Sequence, residues 1–202
     1  MGRNKELNEL MKDERKQQIF SSALKLFATR GLASTKIADI AQDAGFSQGL
    51  VYHYFKSKDD IFIQLIKMAF TQLNSAAKQL EHFDLPHLQK LKIAYESMMD
   101  GLVHHEDAAL THLLIATSSA SESIPDEARL IIDEQYFFPY EVIRRIIEAG
   151  QTDGSIVSKN SRDLALLFWS TIRGLSIYRA THHDTFVVPE VESFLAMFRN
   201  KE

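Results

Sequence analysis

The sequence predicts an all-α protein of nine or ten helices, an N-terminal three-helix unit with a helix-turn-helix joined to a C-terminal helical bundle. Three observations carry that expectation. Apolar residues recur at i, i+3, i+4 and i+7 in nearly every segment, the period of one buried helix face. No segment of useful length alternates apolar with polar residues as a half-buried strand would, and there is no internal repeat. Gly31, Gly45, Pro86, Pro125 and Gly150 stand at the ends of the apolar stripes, where helices stop or start.

Residues 1–12 are a charged lead-in of mixed sign, read as a frayed extension. The first helix is expected over about 13–30, with Ile19, Phe20, Ala23, Leu26 and Phe27 inward and Gly31 as its stop. A second helix carries Ile37, Ile40, Ala41 and Ala44 on one stripe and stops at Gly45. Phe46 follows as a plug. Ser47 can then cap a third helix that buries Leu50, Val51, Tyr54 and Phe55. The run Ser57-Lys58-Asp59-Asp60 resembles a capping box and opens a long fourth helix to about residue 82, with Ile61, Phe62, Leu65, Met68, Ala69, Leu73, Ala76 and Leu80 inward.

Pro86 suits the first turn of a helix to about residue 104, whose stripe is Leu88, Leu91, Tyr95, Met98, Met99 and Leu102. A shorter helix over about 107–117 and a Ser-rich link (118–123) precede a helix opened by Pro125. Pro139 should kink or divide the segment that follows, because it removes a backbone donor and clashes with the preceding turn. The pattern resumes with Val142, Ile143, Ile146 and Ile147 and is expected to stop at Gly150; two helices over about 161–181 and 189–200 complete the chain. The expected division is a helix-turn-helix unit over 1–58 and a second, helical domain over 59–202.

The short third helix is the most informative element. With one side buried, it leaves Ser47, Gln48, Gly49, Tyr52 and His53 outside. Helix, glycine turn, short helix is the layout whose second helix enters the major groove of duplex DNA. Gln48 can bond a base edge through two contacts, and Ser47 a base or a phosphate. Gly49 costs about 1 kcal/mol against Ala inside a helix, so a close approach of backbone to a partner is expected there. Tyr52 and His53 offer donors to phosphate oxygens. Thr35, Lys36 and Lys58 stand at helix starts, where free N–H groups and the helix dipole favour phosphate. Tyr54 is read as a core aromatic.

The run over 15–62 resembles the N-terminal domain of the TetR/AcrR family of transcriptional regulators. The matching pieces are IFSSALKLFATRG (19–31), IADIAQDAG (37–45) and SQGLVYHYFKSKDDIF (47–62). A weaker likeness continues through Gly150, Gly154-Ser155-Ile156 and the helix with Arg173-Gly174-Leu175. Phe46 departs from the smaller aliphatic residue more common in the family, which affects packing and not contacts. The resemblance implies that Thr35, Lys36, Ser47, Gln48, Gly49, Tyr52, His53 and Lys58 face DNA. It also implies a homodimer on a palindromic operator, usually a repressor released by a small ligand held in the helical body.

The helix over 161–181 is apolar around its circumference, so it needs cover on more than one side. A second copy of the chain is the expected cover. Leu164, Leu167, Phe168, Leu175 and Tyr178, with Val191, Phe194, Leu195 and Phe198 of the last helix, form the expected dimer interface. Tyr95, Met98, Met99, Leu102, His112, Phe137, Phe138 and Trp169 are soft or amphipathic groups suited to lining a cavity for a small apolar effector. Control by a protein partner is the alternative that a solid body would favour, and a helical carrier or enzyme the alternative without DNA.

His104 and His105 point about 100° apart on a helix, so they cannot share one face with His112, and no metal site is expected. The turn His182-His183-Asp184 is read as a solvated helix end. No nucleophile elbow, Gly-rich phosphate loop or HExxH is present, so neither catalysis nor a cofactor is expected.

The net charge of −4 conceals an asymmetry: residues 1–58 carry ten Lys/Arg against six Asp/Glu, and residues 59–202 thirteen against twenty-one. A basic head on an acidic body concentrates phosphate attraction at one end. The absence of cysteine excludes disulfides and thiolate metal sites. The longest apolar run, 164–169, is six residues against the roughly 20 of a membrane span, and no signal peptide is expected in the charged N-terminus. A cytoplasmic location is expected.

Overall fold

The computed structural model describes residues 2–182 and 185–200, with side chains described from Met11 onward, so His183 and Asp184 of the expected helix-end turn lie outside the described residues. Helix α1 (Gly2–Arg30) begins some ten residues before the expected start. Its charged opening lacks an apolar stripe, but Lys, Glu, Leu, Met and Arg are good helix formers, and no Pro or Gly interrupts it after Gly2. Helices α2 (Ile37–Asp43) and α3 (Gln48–Tyr54) follow as expected. Gly45 between them takes a φ of +73°, a left-handed conformation that a side chain would strain.

Helix α4 (Lys58–His82) is the long rod of the molecule. Ser57 Oγ accepts from the Asp60 amide at 3.1 Å, while the Asp60 carboxylate reaches back to the Lys56 amide at 2.9 Å, one residue before the expected box partner. The body comprises α5 (His87–His104), α6 (Glu106–Ser119), α7 (Asp126–Gln135), α8 (Phe138–Thr152), α9 (Ser161–Thr181) and α10 (Val191–Leu195). Pro139 divides rather than kinks: it sits in the first turn of α8, where its missing N–H costs nothing. Among the described residues, no helix is long and apolar enough to cross a membrane.

Two expected helix ends move. Helix α8 does not stop at Gly150 but runs on to Thr152. Gly150 is needed for space instead, since an added Cβ would stand 2.6 Å from Ile156 Cδ1. The last helix shrinks to five residues. Beyond it the backbone opens so that the Phe198 carbonyl can accept from the Val157 amide at 2.8 Å, which drops Phe198 into the core.

Two buried clusters result. The first joins α1, α2, α3 and the N-terminal half of α4 through edge-on aromatic pairs, Phe20 with Phe55 at 5.0 Å and Phe27 with Phe62 at 5.5 Å. Leu110, Leu114 and Ile115 of α6 and Ala128 and Ile132 of α7 belong to it too, so the head's core continues past residue 58 into the body. The second cluster gathers the far end of α4 with α5, α8, α9 and α10. On α4, Ile66, Phe70 and Ala77 are buried and Ala76 is exposed, a small rotation from the expected face.

Candidate DNA interface and body cavity

Helix α3 buries Val51 completely, with Leu50 and Tyr54 half-buried beside it, which fixes the opposite face outward. Ser47 caps the helix, its Oγ accepting from the Leu50 amide at 3.2 Å. Gln48, Gly49, Tyr52 and His53 are exposed, and Tyr52 shows 56% of its surface. Among the described residues, the side chains of Gln48, Tyr52 and His53 make no hydrogen bond within the protein. Their donors and acceptors are free for a partner. A Cβ at Gly49 would meet only Ser47 Oγ at 3.9 Å, so nothing in the chain itself requires a glycine there.

The residues flanking α3 divide differently from the expectation. Lys36 is exposed at the start of α2, its amide held by Asp39 Oδ2 at 2.9 Å. Thr35 is fully buried, and its hydroxyl donates to the Gly31 carbonyl at 2.8 Å, so its side chain is spent inside. Lys58 is half-buried, and its ammonium donates to the carbonyls of Leu32 (2.8 Å) and Thr35 (3.0 Å). In this structure Lys58 ties the start of α4 to the loop between α1 and α2 instead of pointing to solvent. Placement at a helix start is visible in sequence; a competing pair of carbonyls brought in from 23 and 26 residues away is not.

At the far end of α4 a cavity of about 320 Å³ opens between α4, α5, α8 and α9. Its walls are nearly all apolar, including Leu73, Ala77 and Leu80 of α4, Ile93, Ala94 and Met98 of α5, and Phe168 and Trp169 of α9. Alanines on α4 and α5 leave the room. That signal was legible: Ala76, Ala77 and Ala94 are small where bundle helices usually carry large residues.

Of the eight expected lining residues, Met98 and Trp169 face this cavity. Tyr95, Met99 and Leu102 are packed in the second core; Tyr95 stacks on Phe194 at 4.3 Å and donates its hydroxyl to the Pro189 carbonyl at 2.8 Å. Phe138 is half-buried with the Lys78 ammonium 5.3 Å from its ring centre. Phe137 is two-thirds exposed and is not part of this cavity's wall.

His112 opens instead on a small neighbouring pocket shared with Tyr136, Tyr140, Trp169 and Arg173. Burial, with the Arg173 charge adding to it, pushes His112 down to about 4, so the ring is neutral at pH 7. Burial pushes the Tyr140 phenol up to about 12 against the pull of Arg173. Sequence reasoning missed this polar group because its members lie on α6, α8, α9 and the α7–α8 junction.

The expected dimer face also splits. Leu164, Phe168, Phe194, Leu195 and Phe198 are buried within the single chain, and Leu175 and Val191 are half-buried against the second core. Leu167 and Tyr178 are exposed, joined on the same outer face of α9 by Leu166, Ser170, Gly174 and Ile177. A Cβ at Gly174 would meet nothing, so this glycine too has no reason inside the chain.

Residues 19–65 match the model of the family described as bacterial regulatory proteins, tetR family. The chain is 29% identical over 103 residues to the transcriptional activator FasR of Mycolicibacterium smegmatis, a match covering 51% of this chain and 47% of that protein, about half its length. It is 25% identical over 167 residues to the transcriptional repressor KstR2 of Rhodococcus jostii, covering 80% of each. The solved structure of the ketosteroid transcriptional regulator KstR2 of Mycobacterium tuberculosis superimposes with a TM-score of 0.75 at 18% identity, over 93% of this chain and 96% of that one. The helix-turn-helix segment over 19–65 is thus a domain of the tetR family of bacterial regulatory proteins, and the all-helical chain around it has the fold of the KstR2 regulator.

Proposed function

We propose that this protein is a homodimeric repressor that grips a palindromic operator through α3 and is released by a small apolar effector in the α4–α5 cavity. The observation that carries the reading is α4 itself. Its first turn is fastened to the α1–α2 loop by Lys58, and its last turns, Leu73 to Leu80, wall the cavity. A helix is stiff over this length, so a ligand that displaces the far end moves the end that carries α3. Ligand control requires the effector to prefer the released state; a differential of about 1–3 kcal/mol lowers operator affinity about 5–150-fold.

The free side chains of Gln48, Tyr52 and His53 support base and phosphate contact, with Ser47, Gly49 and Lys36 beside them. The outer face of α9, with Leu166, Leu167, Ile177 and Tyr178 around Ser170 and Gly174, supports close helix-to-helix pairing with a second copy. Repression follows the likeness to the KstR2 repressor over four fifths of the chain.

Selection of bound duplexes from random DNA should recover a palindrome whose half-sites lie about one helical turn apart, or a multiple of it. Leu167→Lys should yield a monomer in analytical ultracentrifugation and lose that binding. Recovery of single, unpaired half-sites, or a Leu167→Lys protein that stays dimeric, would overturn the arrangement proposed here.

A further inference from the structure

Arg173 lies one helical turn beyond Trp169 on the same face of α9. Its guanidinium sits 4.4 Å from the ring centre of Tyr136 and 5.4 Å from that of Tyr140, and it donates to the Tyr136 hydroxyl oxygen. Among the described residues it pairs with no carboxylate. It is half-buried, and a cation drawn partly out of water is ordinarily compensated by an anion, which is lacking here. His112, in the same pocket, is neutral and supplies none.

A second polar group nearby is also unsatisfied. Trp169 is 4% exposed, and its Nε1–H has no acceptor within the protein. Trp169 and Leu73 stand in the walls of both the apolar cavity and the Arg173 pocket, so the indole is a partition between them. The pocket behind it holds only about 10 Å³, room for a single water and not for a carboxylate. An anion reaching Arg173 from the apolar cavity must therefore push the indole aside, and an indole that holds no hydrogen bond gives up none by moving.

We infer that the effector is an apolar carboxylate, its hydrocarbon part in the α4–α5 cavity and its carboxylate drawn to Arg173 past a displaced Trp169. The inference rests on the reading of that cavity as the effector site and adds the chemistry of the ligand's polar end. Hydrocarbon burial supplies affinity, and the charge-assisted bond to Arg173 supplies selection between otherwise equal chains.

Trp169 is the only tryptophan in the chain, so its fluorescence reports on the partition directly. The full chain is titrated at pH 7 with decanoate, 1-decanol and decyltrimethylammonium, which share a tail and differ in charge. Decanoate should bind at least about tenfold more tightly than the alcohol, with the cation weakest, and should shift the Trp169 emission. In Arg173→Met the preference for decanoate should vanish while the alcohol still binds. Equal affinity for decanoate and decanol in the unmodified protein overturns the inference and leaves the cavity reading intact, as does a preference that survives in Arg173→Met. Should none of the three bind, the cavity reading itself falls. The ranking on the unmodified protein decides the matter even if Arg173→Met fails to fold.

Discussion

The two ends of α4 are built on opposite terms. At the N-terminal end the polar groups of the joint are engaged: Ser57 and Asp60 cap, Lys58 holds two carbonyls, and the Thr35 hydroxyl is bonded inside. Ile61, Phe62, Leu65 and Ile66 are all buried there. At the C-terminal end the helix faces a cavity of about 320 Å³, and Asn74 Oδ1 and Trp169 Nε1 are buried with no partner in the protein. Close packing transmits displacement, whereas a void with unsatisfied groups around it absorbs or invites one. The recognition end of the rod is thus set, and the far end is free to adjust.

Truncation should expose that difference most strongly. Phe62→Ala removes a fully buried ring paired edge-on with Phe27 and should cost about 3–5 kcal/mol in urea unfolding. Ala94→Leu, at the cavity end, adds bulk where there is room and should cost under about 1 kcal/mol, against the 1–3 kcal/mol usual for overfilling a dense core. Equal penalties for the two changes would mean that both ends are packed alike.

Acid should find the body before the head. His112 titrates at about 4 in the folded chain against about 6.5 unfolded, so the unfolded state binds the proton first. The stability that a neutral His112 provides is complete above pH 6.5 and is lost as pH falls toward 4, about 2 kcal/mol by pH 5 and about 3 in all. Carboxylates held low, such as Asp60 and Asp43 in the head, lose theirs only below their ordinary range. Urea midpoints measured from pH 7.5 to 5 should fall for the natural chain and stay level for His112→Gln. Parallel slopes for the two would remove His112 from this role.

How much of this was legible in the sequence also differs between the ends. In α2 and α3 the helices are short, one stripe fixes the whole orientation, and Ser47, Gln48, Gly49, Tyr52 and His53 could be placed outside residue by residue. In α9 apolar residues point everywhere, and periodicity cannot say which side meets the core, a cavity or a partner. The sequence therefore puts Phe168 and Leu164 on a dimer face, whereas they are buried within the chain, and it does not single out Ile177, which is exposed. Phe194 and Phe198 differ from the expectation for another reason, because the bridge between Ile156 and Arg199 that turns them inward joins residues 43 apart. Contacts between distant segments, Lys58 to Leu32 and Arg173 to Tyr136 among them, leave no periodic trace.

The smallest of the expected effects bears most closely on the recognition end. A lysine at the start of a helix next to DNA would ordinarily seat a phosphate, and its loss would weaken binding to all sequences and lower the salt dependence by about one ion. Lys58 instead has its ammonium committed to two carbonyls in a half-buried joint. Lys58→Met keeps the length of the side chain but leaves those carbonyls unpaired, so it should cost about 1–2 kcal/mol of stability. Its dependence of operator affinity on salt should match that of the natural chain. Lys36→Ala, which removes an exposed ammonium from the start of α2, should do the reverse: stability unchanged, salt slope reduced by about one. The two slopes, measured side by side from 50 to 200 mM salt, separate a positioning lysine from a phosphate-binding one. A lowered slope in Lys58→Met with stability intact would mean that Lys58 swings out to the duplex on binding, and that the set end of α4 loosens there.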